Sequence, residues 1–458
     1  MTPLTFDDVL DDIGPVGLFQ IFVWTVVAYF NFWGGMYNLV FPFYEWEPDF
    51  HCVPEMKDKQ WTVQQINSIS KIGDDKCNIR ALNYTKLALD LPKYTADFNM
   101  TEYLFDDHLL KCDQFVFDKH GEMRNTMVST FDLVCDRKLY PQHAQATYMI
   151  GQLAGLVIAG PCIDDLGRKN AIVTFIIVCI AIGMVHTFIP SFFVFLLCRF
   201  AFALVAMPVM KASFTLCVEV TTARHRPWVG GMFWVPPAIG TGLVMVGLAY
   251  WLRDWQLVHV AIGVPMLPLL IVMFKFPKSI RWLLCRNRIG EARTLLYQAA
   301  RWNGHKLPED YNLDLVIKHL QETEAKASGW YGRIPILRMF TVRRGKLLFP
   351  KLLLRAANLC FNWAVNGLIW YGLWGYINKA TGDLFLNIMA MGLIEIPGNL
   401  IGFALMYLGR RPALLATLGF TSLTSLLIPF IPGLGHAFRR TLLFLCALEW
   451  VSGLCDGI

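Results

Sequence analysis

GPCIDDLGRKN, residues 160–170, parts two apolar runs, ATYMIGQLAGLVIA before it and AIVTFIIVCIAIGMV after it. Asp164, Asp165, Arg168 and Lys169 are thus packed into a short hinge between segments suited to hydrocarbon. Charges stay in water when the segments beside them enter lipid, so the stretch reads as a turn between two membrane-spanning helices.

The rest of the chain agrees. Of its 458 residues, 55% are hydrophobic and 17% charged, against nearly a quarter charged in an ordinary soluble chain. The apolar residues fall in ten blocks, 15–41, 144–163, 170–189, 191–217, 229–252, 256–276, 352–377, 384–408, 412–432 and 441–458. A helix of about 20 apolar residues spans a bilayer. The first block is not a cleavable signal, because the acidic FDDVLDD precedes it and no small-residue cleavage site follows. The fold class expected is an all-α membrane protein. Metal-ligand spacing, a nucleophile elbow and a phosphate-cradling glycine loop are all missing, so an enzyme, a cofactor, a metal site and a nucleic-acid partner are not expected.

Alternate hinges are basic: Arg168 and Lys169, Arg224 and Arg226, a stretch of about 75 residues after block six, and Arg410 with Arg411. The positive-inside rule places them in the cytosol, together with the N-terminus. Arg439 and Arg440 fall on the other side, against the trend. The loop 44–143 then faces outward. It carries Cys52, Cys77, Cys112 and Cys135, enough for two disulfides in one of three pairings. It also carries two glycosylation acceptor patterns, at Asn83 and Asn99. The organisation expected is a cytosolic N-terminus (1–13), span 1 (14–43), the outer loop (44–143), spans 2–6 (144–277), a cytosolic loop of short amphipathic helices (278–346) and spans 7–10 (347–458).

The hinge resembles the signature between spans 2 and 3 of the major facilitator superfamily, Gly-x-x-x-Asp-Arg-x-Gly-Arg-Arg/Lys. Gly160, Asp164, Gly167, Arg168 and Lys169 match, and Asp165 stands where the pattern has arginine. The chain as a whole is similar to solute carrier family 22, the organic cation/anion transporters. FDDVLDDIGPVGLFQ resembles its N-terminus, EPDFHC its Pro-x-x-His-Cys, FDLVC the close of its ectodomain, and CVEVTTARHRPWVGG the end of span 4. AYWLRDWQ, IEIPGNL and LGRRPAL resemble further family stretches. FPKSIRWLLCRNRIGEA resembles Pro-Glu-Ser-Pro-Arg-Trp-Leu, with Lys278 for the acid and Ile280 for the second proline. The resemblance implies two pseudo-symmetric halves, with about 10 of 12 transmembrane helices present and the sequence ending inside span 10. It also implies a conformational latch at the cytosolic helix ends, formed by Gly160, Asp164, Gly167, Arg168, Lys169, Glu219, Arg224, Arg226, Gly409, Arg410 and Arg411.

Polar side chains at membrane depth are costly and usually face a cavity or a partner helix. Asn358, Asn362 and Asn366 follow at steps of four, with Arg355 and Trp370 on the same face. Asn387, Met391, Glu395 and Asn399 repeat the pattern, and Trp24, Asn31 and Asn38 recur at steps of seven. These stripes read as walls of a water-filled path. Four charges lie deep: Arg199, Lys211, Glu395 and Glu449. Aromatic faces attract organic cations, which brings in Trp363, Trp370, Tyr371, Trp374 and Trp234. The substrate-contacting set expected is Asn31, Asn38, Lys211, Asn362, Trp363, Asn366, Trp370, Tyr371, Glu395 and Glu449. The reading is a plasma-membrane, multi-pass transporter of small organic ions, with cations or zwitterions favoured over anions and alternating access as the mechanism. Its partners are the ion and the lipid bilayer, with a homo- or hetero-oligomer left open. The alternative is a non-transporting membrane protein that binds or inhibits a partner.

Overall fold

A computed structural model describes residues 5–52, 76–82, 104–112, 114–118, 121–308, 311–325, 342–343, 346–347, 350–376, 383–406, 412, 415 and 419. Among these residues, seven helical segments are long and apolar enough to cross a membrane. They are Leu18–Tyr44, Cys135–Leu166, Arg168–Phe188, Phe192–Glu219, Arg226–Leu252, Trp255–Lys275 and Leu384–Ile401. The run 352–377 forms a further helix of 27 residues, Pro350–Tyr376. Nearly all of blocks nine and ten lies outside the described residues.

The chain forms two compact units. The first comprises Met1–Pro42, Ala144–Trp251 and Gln256–Ile458. It opens with helix α1, Phe6–Asp12, closed by a capping box between Thr5 and Asp8, which satisfies two of the first-turn N–H groups. Helix α2, Leu18–Leu39, starts at Gly17, whose N–H donates to the Gln20 side chain at 3.2 Å. The short helix α3, Phe41–Tyr44, closes the first span.

The second unit comprises Phe43–His143 and Leu252–Trp255. Strand β1, Phe50–Cys52, pairs antiparallel with β4, Phe115–Phe117, and β2, Asn78–Leu82, with β3, Leu104–Lys111. The Phe50 ring meets those of Phe115 and Phe117 at 5.7 and 6.1 Å. Disulfides join Cys52 to Cys112 and Cys77 to Cys135. A small unit with two such bonds compensates for a modest apolar core. Helix α4, Met127–Thr130, is capped by Thr126 and held to Trp255, whose indole N–H donates to Thr130 Oγ1 at 3.0 Å.

Returning to the first unit, α5 (Tyr140–Leu166), α6 (Arg168–Val185) and α7 (Phe192–Glu219) continue the bundle. The fifth span is not one helix. Pro236 and Pro237 follow a break at Phe233–Trp234, giving α8 (Arg226–Met232), α9 (Val235–Ile239), a π-helical turn at Gly240–Met245, and α10 (Val246–Leu252). Proline removes the N–H that a continuous helix needs, and π turns collect at functional positions. The sixth span is α11 (Trp255–Gly263) running through a 3-10 turn into α12 (Leu267–Lys275).

Three amphipathic helices follow: α13 (Ile280–Cys285), α14 (Ile289–Trp302) and α15 (Asp314–Ala325). Asn303 caps α14 and fastens it to the start of span 1. Its amide donates to Ile13 O at 2.8 Å and to Gln20 Oε1 at 2.9 Å, and its carbonyl accepts from Phe19 N at 3.0 Å. Tyr311 bonds Asp12 at the same junction. Two spans of the second half are described, α16 (Pro350–Tyr376) and α17 (Leu384–Met406).

Candidate functional site

The opening hinge resolves into an ion-pair cluster whose innermost member, Glu219, is buried. Leu166 ends α5, Gly167 turns the chain at φ +80°, and Arg168 begins α6. A Cβ at Gly167 would stand 2.9 Å from the Trp282 ring, so both the turn and its neighbour exclude a side chain. Arg168 bonds Asp164 at 3.1 Å and Glu219 at 3.0 Å. The Arg168 and Glu219 side chains are only 15% and 9% exposed. Glu219 is the last residue of α7, where the helix dipole disfavours an anion. The guanidinium, and a 2.5 Å hydrogen bond donated by Ser279, compensate it.

Asp165, the departure from the superfamily pattern, meets Arg286 at 2.9 Å. The same guanidinium and the Trp282 indole both donate to the Asp164 carbonyl at 2.8 Å, satisfying a carbonyl that the end of α5 leaves open. Three of the expected latch residues are placed differently. Arg226 pairs with Asp7 of α1 and with backbone carbonyls, not with Glu219. Arg224 is exposed and forms no ion pair among the described residues, because it lies in the turn beyond the end of α7. Lys169 donates to the Phe274 carbonyl at 3.1 Å rather than to a carboxylate. A Cβ at Gly160 would meet nothing within 4 Å among the described residues, so no close approach of the described helices depends on it. Gly409, Arg410 and Arg411 lie outside the described residues.

Deeper in the bundle, Lys211 sits eight residues before the end of α7, about 12 Å from the hinge. It is exposed on the protein surface, with its ammonium 6.0 Å from the centre of the Trp234 ring. An ammonium at that depth requires water or a partner, because hydrocarbon solvates neither. On α16, Asn362 donates to the carbonyl and side-chain oxygens of Asn358, each at 2.9 Å, and Trp363 is exposed. Farther along, the Trp370 and Tyr371 rings meet edge-on at 4.7 Å. The Trp370 indole lies beside the half-buried Glu395 carboxylate on α17. Tyr371 lies beside Asn38 on α2, which accepts from Gln152 at 3.1 Å.

The two halves meet along spans 5 and 8, from Arg226–Met232 through the π turn, and by ring contacts at the end of the spans away from the hinge. Phe41 and Trp374 are 6.4 Å apart, and Tyr250 and Phe385 5.4 Å. Gly392 of α17 packs on Gly242 of the π turn so closely that a Cβ would come within 2.3 Å of the Gly242 Cα. At the hinge end, residues 357–361 of α16 are exposed.

The stripe on α2 does not line one passage. Trp24 donates to Thr221 at 3.2 Å. Trp24 and the buried Asn31 share a cavity of about 300 Å³ with Trp228 and Phe233, and the Asn31 amide has no hydrogen-bond partner among the described residues. Asn38 borders a separate cavity of about 40 Å³ with Tyr148 and Gln152, room for a few waters and too small for an organic ion. Seven residues keep one face of a helix but move about 10 Å along it, so the same face meets different neighbours. The Asn366 side chain, Glu449, Asn83 and Asn99 lie outside the described residues. Sequence reasoning missed Ser279, Trp282, Arg286 and Gln152. The signal for Arg286 was available: an unexplained aspartate in a basic hinge calls for a cation elsewhere. Arg199 was noted, and it lies 4.6 Å from the centre of the Tyr148 ring.

A helical bundle in two halves, with charges at membrane depth and a charged hinge, defines a major facilitator superfamily transporter. The chain belongs to the sugar (and other) transporter family, whose model matches residues 110–348. It is 25% identical over 443 residues to the "Organic cation transporter protein" of Drosophila melanogaster, covering 93% of this chain and 75% of that protein. It is 26% identical over 449 residues to "Solute carrier family 22 member 6" of Danio rerio, covering 93% and 76%. The fold is similar to that of the proton:xylose symporter XylE bound to 6-bromo-6-deoxy-D-glucose, with TM-score 0.58 and 13% identity, covering 96% of this chain and 81% of that one. The protein is a multi-pass membrane transporter, not an enzyme.

Proposed function

We propose that the chain carries small organic cations or zwitterions across the plasma membrane by alternating access. The observation that carries this reading is the pair of opposite charges at membrane depth, Lys211 beside Trp234 on the first half and Glu395 beside Trp370 on the second. An amino group drawn to Glu395 and the aromatic faces, with a carboxylate drawn to Lys211, matches a zwitterion; a cation uses the first half of that match. Asn362 and Trp363 would line the approach on α16, Tyr371 and Asn38 would close it at the far end, and Asn366, whose side chain lies outside the described residues, is a further candidate. Glu449, beyond the described residues, is a further candidate charge. The names of the relatives, organic cation and solute carrier family 22 proteins, support the substrate class.

In this reading the hinge cluster is the latch, the basic hinges and the N-terminus are cytosolic, and the loop 44–143 is extracellular and glycosylated at Asn83 and Asn99. The contacts between halves at the far end correspond to a state closed to the outside. The test is uptake of a labelled tetraalkylammonium cation, an ω-amino acid and an aromatic carboxylate into cells expressing the chain. Glu395→Gln is expected to lower cation and zwitterion uptake about 10-fold, the value of one buried charged contact, with surface level unchanged. Unchanged uptake in that variant removes Glu395 from the site. No uptake of any ion by the unmodified chain at the cell surface removes the carrier reading.

A further inference from the structure

A third cavity, of about 450 Å³, opens on the hinge side of the first unit. Three lysines border it: Lys169 at the start of α6, Lys275 at the end of α12, and Lys278 just beyond. One carboxylate, Glu291, shares it. Lys278 bonds Glu291 at 2.9 Å, and that ammonium, with Arg288 beyond it, holds the Glu291 carboxyl below the usual carboxylate range. The acid therefore stays ionised and cancels one positive charge, not three. Lys275 is exposed and forms no ion pair among the described residues. Three lysines from two segments, the start of α6 and the end of α12, border one hollow; like charges so placed repel one another, and a multiply charged anion relieves that repulsion.

The surroundings decide what kind of anion. Phe19 and Phe276 form an apolar wall. Leu18, Trp302 and Phe274, beside the cavity in sequence or lining it, are 66%, 48% and 84% exposed. Trp302 holds its ring edge-on to Phe19 and Phe22 at 6.2 and 5.7 Å, the placement of an interfacial tryptophan. Lysines at headgroup level above exposed apolar helix faces suit a ligand with a phosphorylated head and hydrocarbon tails. We propose that this cavity binds the phosphorylated headgroup of an anionic membrane lipid, with its acyl chains against α12 and α2. The assignment to the cytosolic leaflet rests on the orientation proposed above; the binding does not.

The test uses the purified full chain in detergent micelles and a fluorescent phosphatidylinositol monophosphate, read by anisotropy. Lys275→Gln with Lys278→Gln is expected to weaken binding about 30-fold, at the worth of two lysines near a charged headgroup. Lys306→Gln with Lys318→Gln, an equal charge change outside the cavity, is expected to leave it unchanged. Glu291→Gln removes the competing carboxylate and is expected to tighten binding. That arm moves opposite to a loss of fold, and thermal midpoints of all variants accompany it. Phosphatidylcholine probes binding equally well, equal losses in both double variants, or no tightening in Glu291→Gln would each overturn the proposal. Displacement by soluble inositol trisphosphate as effective as by the lipid would overturn the lipid assignment in favour of a free phosphate site.

Discussion

Glu219→Ala is expected to lower uptake about 100-fold and to lower the thermal midpoint of the purified protein. The substitution strips Arg168 of its buried partner and leaves only Asp164, whose side chain is 68% exposed. It also strips the Ser279 hydroxyl of its acceptor. Removing one member of a buried pair costs about 3–5 kcal/mol, because the remaining charge is stranded away from water. Arg168 retains 15% exposure, which puts the cost at the low end of that range. The diagnostic comparison is the double variant Arg168→Met with Glu219→Met. If the damage comes from a stranded charge, the double variant melts higher than Glu219→Ala, as expected of two directly coupled residues. If it melts no higher, the cluster is not a coupled pair. Uptake separates the two roles of the cluster. A merely structural pair regains transport when stability returns, whereas a latch does not.

Gly392→Val is expected to abolish uptake while the protein still reaches the membrane. Glycine at this position lets α17 rest on the π-helical turn of span 5, and Gly242 meets it from the other side. A Cβ at 2.3 Å from the Gly242 Cα cannot be absorbed by a rotamer change, because the opposing atom is backbone. The two spans must separate, and with them the contact that joins the halves in the observed arrangement. A carrier that cannot form one of its two closed states turns over no substrate, however well it binds in the other. The check is uptake together with substrate binding to the purified protein. Binding retained with transport lost is the expected outcome; normal uptake would mean that spans 5 and 8 do not approach in this way during the cycle.

The membrane-spanning segments were legible because hydrocarbon imposes length and composition directly. The 144–163 and 170–189 runs, with the charged hinge between them, became α5 and α6 with Gly167 at the turn. The split of span 5 was foreshadowed by Pro236 and Pro237, but not the π turn after it, which depends on how Gly240 and Gly242 pack against their neighbours. Charge partners were the least legible part. Arg226 was expected in the latch cluster that holds Glu219, yet it pairs with Asp7, on a helix more than 200 residues earlier. Asp165 reads as a lapse until α13 brings Arg286 to it. The α2 stripe shows the matching error for periodicity, which fixes a face but not what that face meets at each depth.

The central claim is that Lys211, Asn362 and Glu395 border one wet passage within the bundle. Cysteines placed singly at these positions, in a chain whose other unpaired cysteines are serine, can be exposed to a charged, membrane-impermeant thiol reagent in opened vesicles. Ile177→Cys and Ile271→Cys, at exposed apolar positions on α6 and α12, serve as the lipid-facing comparison. The account predicts rapid labelling at Lys211→Cys, Asn362→Cys and Glu395→Cys, slowed by a transported ion, and slow labelling at the two isoleucine positions. Labelling at the three polar positions as slow as at the isoleucines, and indifferent to any ion, would contradict it.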